Sequence, residues 1–326
     1  VLQTRFRFTL VIADAAGSTV HREEVHDFGP CYEDLLFSAV VGGAVPNDGA
    51  LPPARLEPLW KGEAWGRVAG VTVDLQPLRK TYGLSVLRAH AWAILVERKL
   101  LDQETAPDSR FFWRLEAREG DAAGRPRKFR AALSRQPYPI LRSRLPELGN
   151  GPRPVDERPV SIFIRQEVLA ALREETARAL DLERADVLTG HLVQEPEGRV
   201  GVLVTARTPA VAEKEPTRAH FTFSPLTFVA ARQEVAGRAD GATVVGWHHS
   251  HPPPCGRSCL QSLPPCGTGM LFFSVDDCGV HRASFPAPYM IALVSGKAAG
   301  RRADDPGVKA FGWRDGAIVE REFTVF

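Results

Sequence analysis

Apolar and polar positions alternate from Arg5 to Leu10, with Phe6, Phe8 and Leu10 apolar and Arg7 and Thr9 polar between them. Period-two alternation predicts a half-buried strand, here over residues 5–12. A second strand over 18–25 follows across the turn at 13–17. Residues 32–40 show helical spacing, and the Gly- and Pro-rich stretch 42–53 predicts a loop. Further strands are expected over 67–75, 89–97 and 111–117. This first region reads as α+β. From 118 to 159 the chain turns to Arg, Pro and Gly, a composition suited to a connection rather than a core. The domain boundary is placed there, giving domains at 1–150 and 151–326, with 138–148 expected to pack on a neighbour.

The second half has a clearer pattern. A strand at 160–164 precedes a helix over 165–180, whose apolar positions are Val168, Leu169, Leu172, Ala177 and Leu180. Strands at 186–194 and 199–207 flank a Glu-Pro-Glu-Gly turn. A helix at 226–236, a buried strand at 243–251 and another at 289–295 come next. Segments 310–314 and 317–324 form a hairpin around Asp315-Gly316, a dipeptide suited to tight hairpin turns. Helices and strands mixed in this way predict an α/β sandwich with a central mixed sheet flanked by helices.

Composition narrows the function classes. The chain has 326 residues, 44% hydrophobic and 25% charged, which is ordinary for a globular protein. Lys and Arg total 41 against 39 Asp and Glu. Such a balance lacks the basic excess that broad phosphate contact requires, so no nucleic-acid partner is expected. The apolar runs fall far short of the about 18 residues a membrane span needs. The N-terminal residues lack a signal peptide's apolar centre, so a cytoplasmic location and no membrane association are expected.

Candidate chemistry concentrates in Gly-Trp-His-His-Ser-His-Pro at positions 246–252. On a strand, residues two apart share a face, so His249 and His251 can aim both imidazoles at one point. A catalytic zinc site takes three protein ligands and keeps a fourth place open. Asp277, in Ser274-Val275-Asp276-Asp277, supplies a candidate carboxylate, with Asp276 as its rival. A base is needed to move the proton of the attacking water. Glu183, at the head of the strand after the helix, is the candidate; Glu174, Glu175 and Glu195 are the alternatives. Ser274 can donate to a developing oxyanion or cap a helix. His248 faces away from the pair and reads as a packing or hydrogen-bonding residue, as His191 and His281 also read as structural. Cys255, Cys259, Cys266 and Cys278 fall within two dozen residues and are candidate ligands for a second, structural zinc, or small buried thiols. Cys31 stands apart and is expected to pack.

These motifs resemble the JAMM (MPN-plus, JAB) zinc metalloproteases. Members of that family show a Glu at a helix-to-strand junction, then Gly-Trp-x-His-Ser/Thr-His-Pro, then Ser-x-x-Asp. Glu183, His249, His251, Ser274 and Asp277 stand in that order, and the resemblance covers roughly residues 160–326. It implies a JAMM-type, cytidine-deaminase-like sandwich. By carry-over, Zn2+ sits on His249, His251 and Asp277, with Glu183 as general acid/base and Ser274 at the oxyanion. The implied reaction is hydrolysis of an isopeptide or peptide bond at the C-terminus of ubiquitin or a ubiquitin-like protein. Implied partners are that protein or its conjugate and homologues of conjugating and activating enzymes, in a bacterial ubiquitin-like pathway such as antiviral defence. Two departures stand out. Asp186 replaces a Gly of the family's Glu-x-x-Gly-x-Leu-x-Gly stretch, and 22 residues separate His251 from Ser274, against about seven in the family. The insertion, 252–273, holds three of the cysteines. The competing reading is a non-catalytic scaffold or binding module of the same fold, and a second rival is a zinc hydrolase of another substrate.

Overall fold

The computed structural model describes residues 2–62, 66–102, 110–120, 135–146, 160–215, 217, 221–253 and 269–326. In chain order the first elements are β1 (Leu2–Gln3), β2 (Phe6–Asp14), β3 (Thr19–Val25), α1 (Gly29–Val41), β4 (Ala54–Trp60), β5 (Arg67–Leu75), β6 (Leu78–Gly83), a 3-10 turn (Leu84–Leu87), α2 (Arg88–Glu97), β7 (Phe111–Glu119) and β8 (Ile140–Arg142). They continue with β9 (Ser161–Ile164), α3 (Gln166–Arg178), β10 (Ala185–Gln194), β11 (Val200–Pro209), α4 (Pro225–Arg238), β12 (Thr243–His251), α5 (Val275–Ser284), β13 (Ile291–Lys297), β14 (Pro306–Arg314), β15 (Ala317–Arg321) and β16 (Thr324–Val325).

The protein is mixed α/β, with two sheets and five α-helices among the described residues. One sheet runs β1-β4-β5-β7-β2-β3, with β6 paired to β5. The other runs β15-β14-β13-β12-β10-β11-β9-β16, with β8 paired to β10. Two compact units emerge. One comprises Val1–Tyr138, Ser274–Pro288 and Arg314–Ile318, and the other Pro139–Phe273, Tyr289–Trp313 and Val319–Phe326. No helix of the described residues is long and apolar enough to cross a membrane.

In the first unit, Phe8, Leu10 and Ile12 of β2 are buried, as the alternation requires, and Leu35 and Leu36 of α1 are buried with them. The buried Asp34 carboxylate of α1 accepts from Lys80 Nζ at 2.8 Å and from Tyr82 Oη at 2.9 Å. Residues 88–97 form a helix where a strand was expected. Trp92, Ile94, Leu95 and Val96 favour strands locally, but Ala91, Trp92 and Leu95 have i, i+1, i+4 spacing and bury one stripe. The helix-forming alanines at 89, 91 and 93 agree with that outcome. Helix α2 packs against α5. Strands β4 and β6 add to those expected; β4 alternates over Ala54–Pro58 and pairs with β5 and β1, and β6 pairs with β5.

The second unit is built around β10 and β12. β10 is antiparallel to β11 and β12, and β12 is parallel to β13, so the sheet is mixed. Helix α3 buries Val168, Leu169, Leu172 and Thr176, one stripe of an amphipathic helix. Ser224 caps α4, its Oγ accepting from the Leu226 amide, and Pro225 takes the first turn. Gly246 has a steric reason: a Cβ there would lie 2.0 Å from the Ile291 carbonyl oxygen, so the close approach of β12 to β13 excludes a side chain. Segment 138–148 packs where it is described, Ile140–Arg142 pairing with β10 and Leu145 buried. The final hairpin turns at Asp315 and Gly316, both at positive φ (50° and 73°).

Candidate metal centre

Strand β12 presents Trp247, His249 and His251 on one face and His248 and Ser250 on the other, and its last seven positions are all buried. On the first face the imidazoles converge. His249 Nε2 and His251 Nε2 lie 2.8 Å apart. Ligand atoms of His249, His251 and Asp277, all buried, lie within 4.8 Å of one another. Two imidazoles and a carboxylate gathered in this way could hold a metal ion.

The surroundings orient these donors. His251 Nδ1 lies 3.0 Å from the Met270 carbonyl oxygen. A carbonyl can only accept, so Nδ1 carries the proton and Nε2 of the neutral ring presents its lone pair to the cluster. Trp247 stacks on His249 with ring centroids 4.6 Å apart and planes at 13°. Phe272 lies 4.6 Å from the His251 ring, and Phe273 flanks His249. Aromatic walls restrict the rotamers of both ligands.

Asp277 is fixed by the start of α5. Ser274 is the N-cap: its Oγ accepts from the Asp277 amide at 3.1 Å, while Asp277 Oδ2 accepts from the Ser274 amide at 2.7 Å. This reciprocal capping box locks the carboxylate, which retains lone pairs enough to cap and to ligate. Asp276 points to solvent on the same turn. Ser274 is thus the helix cap, with its hydroxyl oxygen engaged as an acceptor.

Glu183 lies in the turn before β10 and is 6% exposed. The ladder pairs Asp186 with His248 and Ala185 with His249, and Ser250 N donates to the Arg184 carbonyl at 2.8 Å. Main-chain pairing therefore continues past the ladder to Arg184 and Ser250, the residues next to Glu183 and His251. The alternatives are engaged elsewhere. Glu174 pairs with Arg178, Glu175 with Arg207 and Glu195 with Arg199.

The other face of β12 holds a chain of polar groups. His248, fully buried, donates from Nδ1 to Asp186 Oδ2 at 2.8 Å and bonds through Nε2 to Ser295 Oγ at 2.7 Å. Ser295 Oγ meets Thr176 Oγ1 of α3 at 2.5 Å, and Thr176 donates to the Leu172 carbonyl. Asp186 also accepts from Arg207 at 2.5 Å. Burial pushes the His248 imidazole below its ordinary value, with Asp186 pulling the other way. Burial also opposes the Arg207 charge, but Asp186 and Glu175 outweigh it and hold the guanidinium's pKa above its ordinary value. His248 is therefore a hydrogen-bonded core residue. Asp186 was not singled out as functional in the sequence, although a signal existed: Asp186 and His248 are paired positions on neighbouring strands, and Asp186 departs from the pattern the flanking residues resemble. The Met270 carbonyl, being main chain, has no sequence signal.

Of the remaining candidates, His191 faces Asp240 at 3.6 Å, and His281 is buried and stacked with Phe285. Cys255, Cys259 and Cys266 lie outside the described residues. Cys278 is buried, and burial pushes its thiol up to about 12, with Asp277 adding to the effect. Cys31 is likewise buried and pushed up to about 12, by burial first and then by Asp34.

No family model matches the chain, and no curated protein matches it. Among solved structures it is similar to the solution structure of protein DSY2949 from Desulfitobacterium hafniense. That likeness is 18% identical, with a TM-score of 0.34, and spans 51% of this chain and 92% of the other. At that level it carries no argument about fold or activity.

Proposed function

We propose that the second unit and α5 form a JAMM-type zinc hydrolase that cuts an isopeptide or peptide bond at the C-terminus of a ubiquitin-like protein. The observation that carries the reading is the buried convergence of His249, His251 and Asp277; Glu183, itself buried just before β10, is the base assigned to it. The donor set fits the ion: two neutral nitrogens and one carboxylate oxygen are what zinc takes where a fourth place stays open. The order of Glu183, the two histidines, Ser274 and Asp277, and their resemblance to the JAMM motifs, supports the same assignment.

His249, His251 and Asp277 would hold the zinc. When bound, the ion would supply Lewis-acid polarisation of a water and of the scissile carbonyl. Glu183 would take a proton from the attacking water at its carboxylate and return it to the leaving amine. Ser274 Oγ accepts the helix-cap bond, so its O–H would remain to donate to the carbonyl oxygen as negative charge develops there. Trp247 and the flanking phenylalanines would exclude bulk water and strengthen each of these interactions.

Elemental mass spectrometry of the wild type beside a His249→Ala/His251→Ala variant tests the reading. We expect about one equivalent of zinc to disappear from the variant, together with cleavage of a ubiquitin–lysine isopeptide probe. A metal-saturated wild type without zinc, or a double variant that keeps its full complement, would sink the assignment.

A further inference from the structure

The residue between the two histidines has a task of its own. The β10–β12 ladder ends at Ala185 opposite His249. One residue further out, Ser250 N still donates to the Arg184 carbonyl at 2.8 Å. The return bond changes character: the Arg184 amide donates to Ser250 Oγ at 2.9 Å. A side-chain hydroxyl thereby closes one extra rung beyond the strand. Ser250 is wholly buried, so its hydroxyl has little freedom to leave that bond. The next residue outward is Glu183, whose own amide donates to the Thr217 carbonyl at 3.0 Å. The main chain at Glu183 is thus held on one side by that carbonyl and on the other by the Ser250 hydroxyl.

We propose that Ser250 is a positioning residue, setting Glu183 relative to His249 and His251 by holding the Arg184 amide. The inference rests on the reading of Glu183 as the base. A base displaced by a fraction of the reacting distance loses rate without losing substrate affinity. An alanine at 250 would place the histidines equally well on their face of the strand, so the hydroxyl, not the spacing, is what the proposal concerns.

The test compares wild type with Ser250→Cys, Ser250→Ala and Ser250→Thr. Cysteine keeps the side-chain volume but is a poor acceptor, and threonine keeps the hydroxyl. Three quantities are measured: hydrogen exchange at the Arg184 amide, zinc content, and kcat and KM on the ubiquitin–lysine probe. In the Cys and Ala variants we expect Arg184 exchange to quicken about tenfold, the cost of one lost hydrogen bond. Zinc should stay at the wild-type level, and kcat should fall about 10- to 100-fold at little-changed KM. Threonine should restore exchange and kcat together. Unchanged Arg184 protection in the Cys and Ala variants overturns the proposal. So does loss of zinc alongside protection, which would make Ser250 a support for the histidines instead. A wild type that binds zinc yet leaves the probe intact counts against the hydrolase reading, while exchange and zinc content still decide the tether.

Discussion

Strand β12 carries three imidazoles within four residues, and its two faces treat them in opposite ways. His248 meets a carboxylate on one nitrogen and a hydroxyl on the other, and the chain of bonds runs on to α3. His249 and His251 instead meet each other, Asp277, aromatic rings and, at His251 Nδ1, the Met270 carbonyl. Residue type is the same, and burial is nearly the same. What differs is what the neighbouring elements offer. Polar neighbours saturate an imidazole and make it structural, because buried polar groups take hydrogen bonds wherever the chain supplies them. On the ligand face the Met270 carbonyl fixes the His251 tautomer and the two Nε2 atoms converge with a carboxylate, an arrangement that suits a cation.

The comparison can be broken or sharpened by substitution on each face. The largest effect is expected on the metal-facing side. Glu183→Gln should retain zinc and lower turnover about 100- to 10,000-fold, the usual contribution of a positioned base; full activity on a cleaved substrate would remove Glu183 from the role. On the opposite face, Asp186→Ala strips a buried partner from both His248 and Arg207. Urea denaturation should show a loss of about 3–5 kcal/mol, while the folded variant still binds one zinc. Zinc lost at native conditions would mean that the two faces are not independent.

Burial alone sets a pH response at His281 of α5. Burial lowers its pKa from the ordinary 6.5 to about 3, so the folded chain keeps it neutral while the unfolded chain protonates it. Between those two values the unfolded state binds more protons, and stability falls as pH drops, by about 1.4 kcal/mol per unit. Wild type should therefore lose about 2 kcal/mol more than His281→Leu between pH 7 and pH 5. Equal losses would show that the imidazole is protonated in the fold. The smallest effect belongs to Asp276→Ala. An exposed carboxylate in the first turn of α5 helps the helix dipole by about 0.3–1 kcal/mol, and zinc content should not change. A fall in zinc would move the ligand from Asp277 to its neighbour.

Much of the second unit was legible because its elements repeat simple periods. The apolar start of 243–251, read as a buried strand, matches β12 residue for residue, and the spacing of Val168, Leu169 and Leu172 gave α3. The first unit was less legible. The stretch 88–97 mixes strand-favouring side chains with helical spacing, and burial of one helical stripe prevailed over local preference. β4 alternates only over Ala54–Pro58, directly after a Gly- and Pro-rich loop, and both β4 and β6 pair with β5.

For the site, the sequence by itself determined that His249 and His251 share a face, since strand geometry admits no other arrangement of residues two apart. It also placed a Ser and two carboxylates at a helix start. It left Asp276 and Asp277 as rivals, and several glutamates as candidate bases. Tertiary structure separates the two aspartates. The capping box turns Asp277 inward and leaves Asp276 in solvent. The antiparallel pairing brings Arg184, next to Glu183, to Ser250 in the His-x-His segment across 66 residues of chain. The physical reason is the range of the interactions: side-chain direction along a strand is local, whereas convergence depends on which strand lies beside which and where each helix starts, and only long-range packing fixes those.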